Sequence, residues 1–407
     1  MRTNLHPDEA LEIVLQAARA AHQHLAEEKI PLEQALGRAL AHDVLSPIDH
    51  PPFDKAAMDG FAFRESQPGR TYTVIDAVPA GKSSSSPLGE GEVMRIMTGA
   101  PIPPGAAGVQ RFEWTRDAGT DAEGRPLVTF TQQEKITNII ARGENLRQGE
   151  PLLSPRMLQP QDIGILAASG IAKVQVWRKP RVSIISTGDE IVAAGTALPP
   201  SCIYDSNGPQ LVAQAQLAGA EARFLGIVPD RVEALRGALA TALAESEIVI
   251  LSGGVSMGDF DLIPKVLRQT GVAPVFHTLK MRPGKPTFFG VRDRVAVFGL
   301  PGNPVSTFVN FEVLVKPFIL ASMGLEHAPR MIRARLASAL SRKGSDRVEF
   351  LPCTLAADEQ GMLVRPLRYH GSSMITVLAH AQALVRMELG QERIEAGEYL
   401  DARLIRA

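Results

Sequence analysis

From Arg181 onward, continuous apolar runs rich in β-branched residues alternate with segments of helical periodicity. The runs read "RVSIIST", "EARFLGIV", "EIVILSGG" and "RVAVFGLPG". Between the first three lie "NGPQLVAQAQLAGA" and "DRVEALRGALATALAES"; "DLIPKVLRQTG" precedes the fourth, and "NPVSTFVNFEVLVKPFILASMG" follows it. A strand that is apolar along its whole length must be covered on both faces, and a helix between successive strands makes them parallel. The stretch therefore predicts an α/β domain over residues 180–325, with a doubly wound, mostly parallel sheet.

The rest of the chain has a different texture. A length of 407 residues exceeds one core of typical size and implies two to four domains. Residues 30–141 hold short β segments, "TYTVIDAV", "GEVMRIMTG" and "PLVTFT", divided by turn-rich stretches such as "APIPPGAAG". Near the N-terminus, Leu11, Val14, Leu15, Ala18 and Leu25 step as one face of an amphipathic helix that Pro7 opens. The segment "LQPQDIGILAASG" reads as a short helix that Gly170 stops. Beyond residue 326 short strands return in "MIRARLAS", "RVEFLPCTL", "MLVRPLR", "ALVRMEL" and "EYLDARLI".

Bulk properties remove several function classes. Net charge is −1 and aromatics are 5%, so neither a global field nor a stacking surface favours nucleic acid or anionic lipid. Any phosphate site must be local. The two cysteines, Cys202 and Cys353, suggest no disulfide framework and no zinc spacing. Charges interrupt the first thirty residues, unlike a signal peptide, and no run approaches the roughly 18 apolar residues of a membrane span. A cytoplasmic protein without membrane or nucleic-acid partners is expected.

In a doubly wound sheet, ligands collect beyond the carboxyl ends of the strands. The four runs deliver "STGDE", "GIVPD", "SGGVSMGDFD" and "GLPGNPVS" to that rim. In "LSGGVSMGDFD", Ser252, Gly253, Gly254 and Ser256 offer hydroxyls and free amides suited to an anion, yet Asp259 and Asp261 would repel one. A cation between them reconciles the two. Mg²⁺ favours a few carboxylates plus phosphate oxygens, which makes Glu190, Asp230, Asp259 and Asp261 candidate ligands. Acids after strands also cap helices. Asp230 alone reads as such a cap, whereas Glu190 and Asp261, with their glycines, read as metal ligands. Lys280, Arg282 and Lys285 cluster around the Pro283-Gly284 turn and form an anion-binding group. No nucleophile–base pair is evident, so positioning and charge neutralisation, as in phosphoryl or nucleotidyl transfer, are the expected chemistry. The glycine spacing is not that of a dinucleotide fold.

The blocks "PPFDKAAMDGFA", "MTGAPIPPGA", "STGDEIV", "IYDSNGPQL", "LSGGVSMGDFD", "MRPGKPTFFG", "LPGNPVS" and "DRVEF" resemble, in order, those of the molybdopterin molybdenumtransferases, which include the C-terminal domain of gephyrin. The resemblance implies four domains. These are a linker domain (1–29 and 142–179), a β-rich arm domain (30–141, with 46–54 packing on the α/β domain), the α/β molybdopterin-binding domain (180–325) and a C-terminal β barrel (326–407). It implies insertion of molybdenum from molybdate into adenylylated molybdopterin with release of AMP, Mg²⁺ as cofactor, and a homodimer whose active site is shared between subunits. Further partners would be the upstream molybdopterin adenylyltransferase and apo-molybdoenzymes. Position by position it assigns Asp59, Glu190, Asp261 and Lys285 to catalysis. Thr98, Asp230, Ser252, Gly253, Gly254, Ser256, Arg282, Arg347 and Ser372 fall to substrate binding, and Glu190 and Asp261 to metal.

Several positions depart from the family pattern. Ile140 replaces a site arginine and Asn145 a site aspartate in "NIIARGEN"; Ala107 replaces an aspartate, Arg111 enters a normally apolar strand, and Arg282 replaces a lysine. Ile140 loses charge and every donor, while Asn145 keeps an acceptor oxygen. Arg142 lies two positions from Ile140 and shares its face if the strand register holds. Two alternatives to an active insertase follow: a paralogue that binds molybdopterin as carrier or scaffold, and an insertase for tungstate.

Overall fold

The run Arg181–Thr187 lies inside a six-stranded sheet with spatial order Glu221–Val228, Arg181–Thr187, Ile248–Ser252, Val295–Leu300, Pro286–Arg292, Ala273–Thr278. The computed structural model describes residues 1–254 and 263–406. They form two compact units, one of Met1–Ala41, Pro155–Gln159 and Val174–Ala407, the other of His42–Ser154 and Pro160–Lys173.

In the first unit the four expected strands are mutually parallel. Their period-2 alternation divides each strand between two cores. Val182, Ile184, Ile248, Ile250 and Phe298 pack with the helices Pro7–His22, Asn207–Leu217 and Pro304–Ser322. Ile185, Val249, Leu251 and Val297 face the helices Val232–Glu245 and Ile263–Gln269. The chain leaves Arg181–Thr187 for the strand on one side and returns to Ile248–Ser252 on the other. The topological switch therefore lies between the tips that carry "STGDE" and "LSGG".

Two strands were hidden from the sequence reading. Ala273–Thr278 and Pro286–Arg292 pair antiparallel and complete the sheet on one side. Lysines, proline and glycine punctuate "HTLKMRPGKPTFFG" and give it the look of a bare turn. The helix Pro304–Ser322 is long and apolar enough to cross a membrane by length and composition. It is a core helix here, with 83% of its apolar stretch buried inside the protein.

Beyond residue 330, five strands close into a barrel in the order Val348–Asp358, Gly361–Pro366, Met331–Leu336, Tyr399–Leu404, Ala383–Met387, with the last pairing the first. Met281–Arg282 adds a short parallel edge to Val348–Glu349. The basic loop is thus stitched to the barrel instead of hanging free.

The second unit is built on another six-stranded sheet, ordered Gly108–Arg111, Gly60–Phe63, Glu92–Ile96, Thr71–Val78, Pro126–Phe130, Thr115–Thr120. Phe61, Tyr72, Val93 and Phe130 pack on one face, and Ala62, Val78, Met94 and Val109 on the other.

Candidate active site

A cleft of about 870 Å³ opens at the switch point, over the carboxyl ends of the parallel strands. Glu190, Asp205, Asp230, Ser252, Gly253 and Gly254 line it. Glu190 is exposed on the loop after its strand. The N-cap position of the following helix belongs to Arg231, which makes no side-chain cap bond, and the Asp230 amide donates to Asp189 Oδ1 at 3.1 Å. Gly253 adopts φ +98°, and a Cβ there would come within 2.3 Å of the Thr187 carbonyl oxygen. Only glycine lets the two strand tips approach this closely. Its amide, expected to be free for an anion, is spent on the Leu300 carbonyl at 3.2 Å.

The donors on this wall are oxygens, which suit a hard cation. Glu190 and Asp230 supply carboxylates, and the buried Ser186 Oγ, Thr187 Oγ1 and Asp205 Oδ2 have no hydrogen-bond partner among the described residues. Among the described residues no three of His, Cys, Asp and Glu converge on one point. Of these, the Glu190 and Asp230 carboxylates fit an open Mg²⁺ site completed by ligand oxygens, not a closed cage. Asp259, Asp261 and Ser256 lie outside the described residues.

A second hollow of about 290 Å³ adjoins the first, and Pro286, Pro301 and Asn303 line both. It collects Arg282, Lys285, Arg347 and Ser372, three cations and a hydroxyl drawn from the basic loop and the C-terminal region. Lys280, expected in this group, is not part of its wall. The turn is held from beneath. Gly284 has φ +100° and lies where a Cβ would meet Asn310 Nδ2 at 1.9 Å. Thr287 Oγ1 lies 2.8 Å from the Gly284 carbonyl oxygen and 2.7 Å from Asn310 Oδ1, and Asn310 Nδ2 donates to Ser306 O at 2.8 Å.

Arg282 is oriented by Glu349, a buried carboxylate 3.3 Å from its Nε and 3.5 Å from Arg342 Nη1. Arg342 is itself enclosed and donates to the carbonyls of Gln391 and Arg347. Burial pushes the Tyr369 phenol on the same wall up to about 12, so it stays a neutral donor. Sequence reasoning missed Glu349, Arg342, Tyr369, Asp205 and Asn207. The first lay within the quoted block "DRVEF" and the last two within "IYDSNGPQL", so the signal was present without a role.

In the second unit, Asp59 and Thr98 meet. Asp59 Oδ1 accepts from the Thr98 amide and hydroxyl, both at 2.7 Å. These bonds, with the Arg95 guanidinium beyond them, hold the Asp59 carboxyl below the usual carboxylate range. Arg111 carries its own counter-charge, donating to Glu134 through Nε and Nη2 at 2.9 and 3.1 Å and stacking over Trp114. That pairing explains how a guanidinium is tolerated at the end of this strand. Arg142 is committed to Asp49 through its guanidinium and to Asp54 through its amide. Ile140 is half-buried in a two-residue strand, and Asn145 and Ala107 are exposed.

Three family models match in succession: the MoeA N-terminal region (domains I and II) over residues 5–170, a probable molybdopterin-binding domain over 183–321, and the MoeA C-terminal region (domain IV) over 333–405. A molybdopterin molybdenumtransferase of Staphylococcus epidermidis is 32% identical over 99% of this chain and 96% of its own length. The chain belongs to the molybdopterin molybdenumtransferase family. A Staphylococcus aureus member is 33% identical over 91% of this chain and 90% of its own. A solved structure of the molybdopterin biosynthesis MoeA protein of Pyrococcus horikoshii superposes with TM-score 0.81 at 28% identity, over 99% of this chain and 100% of that one. For this family member, the comparisons support a transferase of molybdenum cofactor biosynthesis with the multidomain architecture expected from sequence.

Proposed function

We propose that the protein inserts molybdenum from molybdate into adenylylated molybdopterin and releases AMP, acting as a cytoplasmic homodimer. The observation that carries this reading is the adjacency of an acid-lined cleft and a base-lined hollow that share Pro286, Pro301 and Asn303. A phosphoanhydride and an oxyanion must be held side by side for such a transfer; the base-lined hollow matches the oxyanion directly, and the acid-lined cleft would match the phosphoanhydride through a divalent cation.

In this reading Lys285, Arg282 and Arg347 hold the doubly negative oxyanion, with Ser372 donating to one of its oxygens. Arg282 presents a fixed guanidinium because Glu349 orients it. Glu190 and Asp261 would hold Mg²⁺, which when bound neutralises charge on the phosphoanhydride. Asp230, Ser252 and Gly254 bind the substrate, and Gly253, its amide spent on Leu300, shapes the wall beside them. Asp59, kept ionised by Thr98, would be contributed by the arm of one subunit to the site of the other.

The test is purified protein with adenylylated molybdopterin, molybdate and Mg²⁺. Molybdate-dependent AMP release is expected, and Lys285→Met should raise the half-saturating molybdate concentration at least tenfold. Release that ignores molybdate would refute the reading. One observation favours a second reading, a molybdopterin carrier with weak insertion. Arg142 is occupied by Asp49 and does not stand in for the guanidinium that Ile140 lacks.

A further inference from the structure

Pro317 stands inside the helical segment Pro304–Ser322, where a proline has no N–H to give and its ring crowds the carbonyl four residues back. The chain accommodates it with a π-helical turn, Phe311–Val315. There the Lys316 amide passes over its α-helical partner, the Glu312 carbonyl, and donates to Phe311 O. In the π pattern the next donor for Glu312 O would come from residue 317, which is the proline. Glu312 is buried, so its carbonyl has neither a helical donor nor free access to water.

Arg403 supplies the missing donor. Its Nη2 donates to Glu312 O and lies 3.2 Å from His327 Nε2. Arg403 belongs to the last barrel strand, Tyr399–Leu404, and His327 to the connection that leads from the helix to the barrel. The guanidinium thus ties the barrel to the bend in the helix. The Glu312 carboxylate fastens the same turn to its surroundings, accepting from Lys316 Nζ at 2.9 Å and Gln214 Nε2 at 3.3 Å.

The residue immediately before the π turn is Asn310, which packs against Gly284 and holds Thr287 and Ser306. The base-lined hollow draws Arg282 and Lys285 from the Gly284 turn, and Arg347 and Ser372 from the C-terminal region. Arg403 does not line this hollow. It joins the hollow's two sources instead, being carried by the barrel and bonded two residues beyond Asn310.

We infer that Arg403 is a positioning residue for the base-lined hollow: by capping the carbonyl that Pro317 orphans, it fixes Asn310 under the basic turn and sets the spacing between Lys285 and Arg347. The inference rests on the reading of that hollow as the oxyanion site and adds what sets its dimensions.

The test measures molybdate binding by equilibrium dialysis, molybdate-dependent AMP release and melting temperature on the intact protein. Arg403→Met keeps the apolar stem and removes every donor. It should weaken molybdate binding about tenfold, short of the roughly hundredfold that a full ångström of misplacement can cost, with turnover at saturating molybdate within about twofold of wild type. Arg403→Lys keeps a donor and should stay within about threefold. Pro317→Ala returns an N–H to the helix, so adding Arg403→Met to it should cost less than about threefold; that pair also carries the test if Arg403→Met alone does not fold. Arg386→Met is the control, since it breaks a different barrel contact, the two bonds of 2.7 Å to Asp8 of the N-terminal helix, and should leave molybdate binding within about twofold. The inference is overturned if Arg403→Met leaves molybdate affinity unchanged, whatever its melting temperature. It is also overturned if the loss persists in full beside Pro317→Ala, if Arg403→Lys loses as much, or if Arg386→Met does. Absence of molybdate binding in wild type overturns it together with the oxyanion reading, whereas binding without AMP release leaves it standing and defeats the insertase reading alone.

Discussion

Gly284→Ala should cripple the basic hollow without touching any of its charges. The new Cβ would lie 1.9 Å from Asn310 Nδ2, whereas carbon atoms pack at about 3.5 Å or more. Asn310 cannot yield cheaply, since it is fully buried and its amide is tied to Ser306 O and Thr287 Oγ1. Swinging it away leaves buried polar groups unsatisfied, at about 1–3 kcal/mol for each lost partner. The backbone adds a further cost, because φ +100° is one that alanine rarely adopts, worth about 1–3 kcal/mol. The net expectation is about 4 kcal/mol, which for a unit of this size lowers the melting temperature by about 7 °C. Scanning calorimetry on the intact protein measures it. The double variant Gly284→Ala/Asn310→Ala removes the obstacle and should show a favourable coupling of about 1–3 kcal/mol relative to additivity. A melting point within 2 °C of wild type, or strictly additive effects, would refute the reasoning that Asn310 is what demands glycine.

Two further outcomes are expected. His327, half-buried and 3.2 Å from the Arg403 guanidinium, has its pKa pushed down to about 4, by burial first and by Arg403 and Lys316 second. The unfolded chain takes up that proton near its ordinary value, so this contribution is present above about pH 6.5 and fades as pH falls toward 4. The stability advantage of wild type over His327→Gln, followed by urea unfolding from pH 7 to 4.5, should shrink with acidification; parallel profiles would contradict the assignment. In the second unit, Ile140→Arg with Asn145→Asp should raise insertion turnover several-fold if those departures limit the enzyme, and unchanged turnover would clear them of that role.

The α/β class was legible because its cause is local. A strand covered on both faces must be apolar at every position, and the sheet splits Val182 and Ile184 from Ile185 between two cores as that pattern requires. The acids and glycines at the strand tips followed from the same reading, since chain direction alone decides which loops reach the carboxyl rim. The hairpin of Ala273–Thr278 and Pro286–Arg292 was not legible. Its pairing depends on contacts with Val295–Leu300 that no local pattern announces.

By itself, then, the order of residues determined the layered sheet, the rim that bears the acids and the basic turn at Pro283-Gly284. Tertiary structure alone decided how those pieces combine. It placed Arg347 and Ser372 beside Lys285, fastened Arg282 to Glu349 on a barrel strand, excluded Lys280, and left Asp205 and Asn207 with acceptors facing no donor. The physical reason is range. Apolar periodicity reports each segment's own burial, whereas convergence of polar groups depends on which distant segments the packed cores bring together.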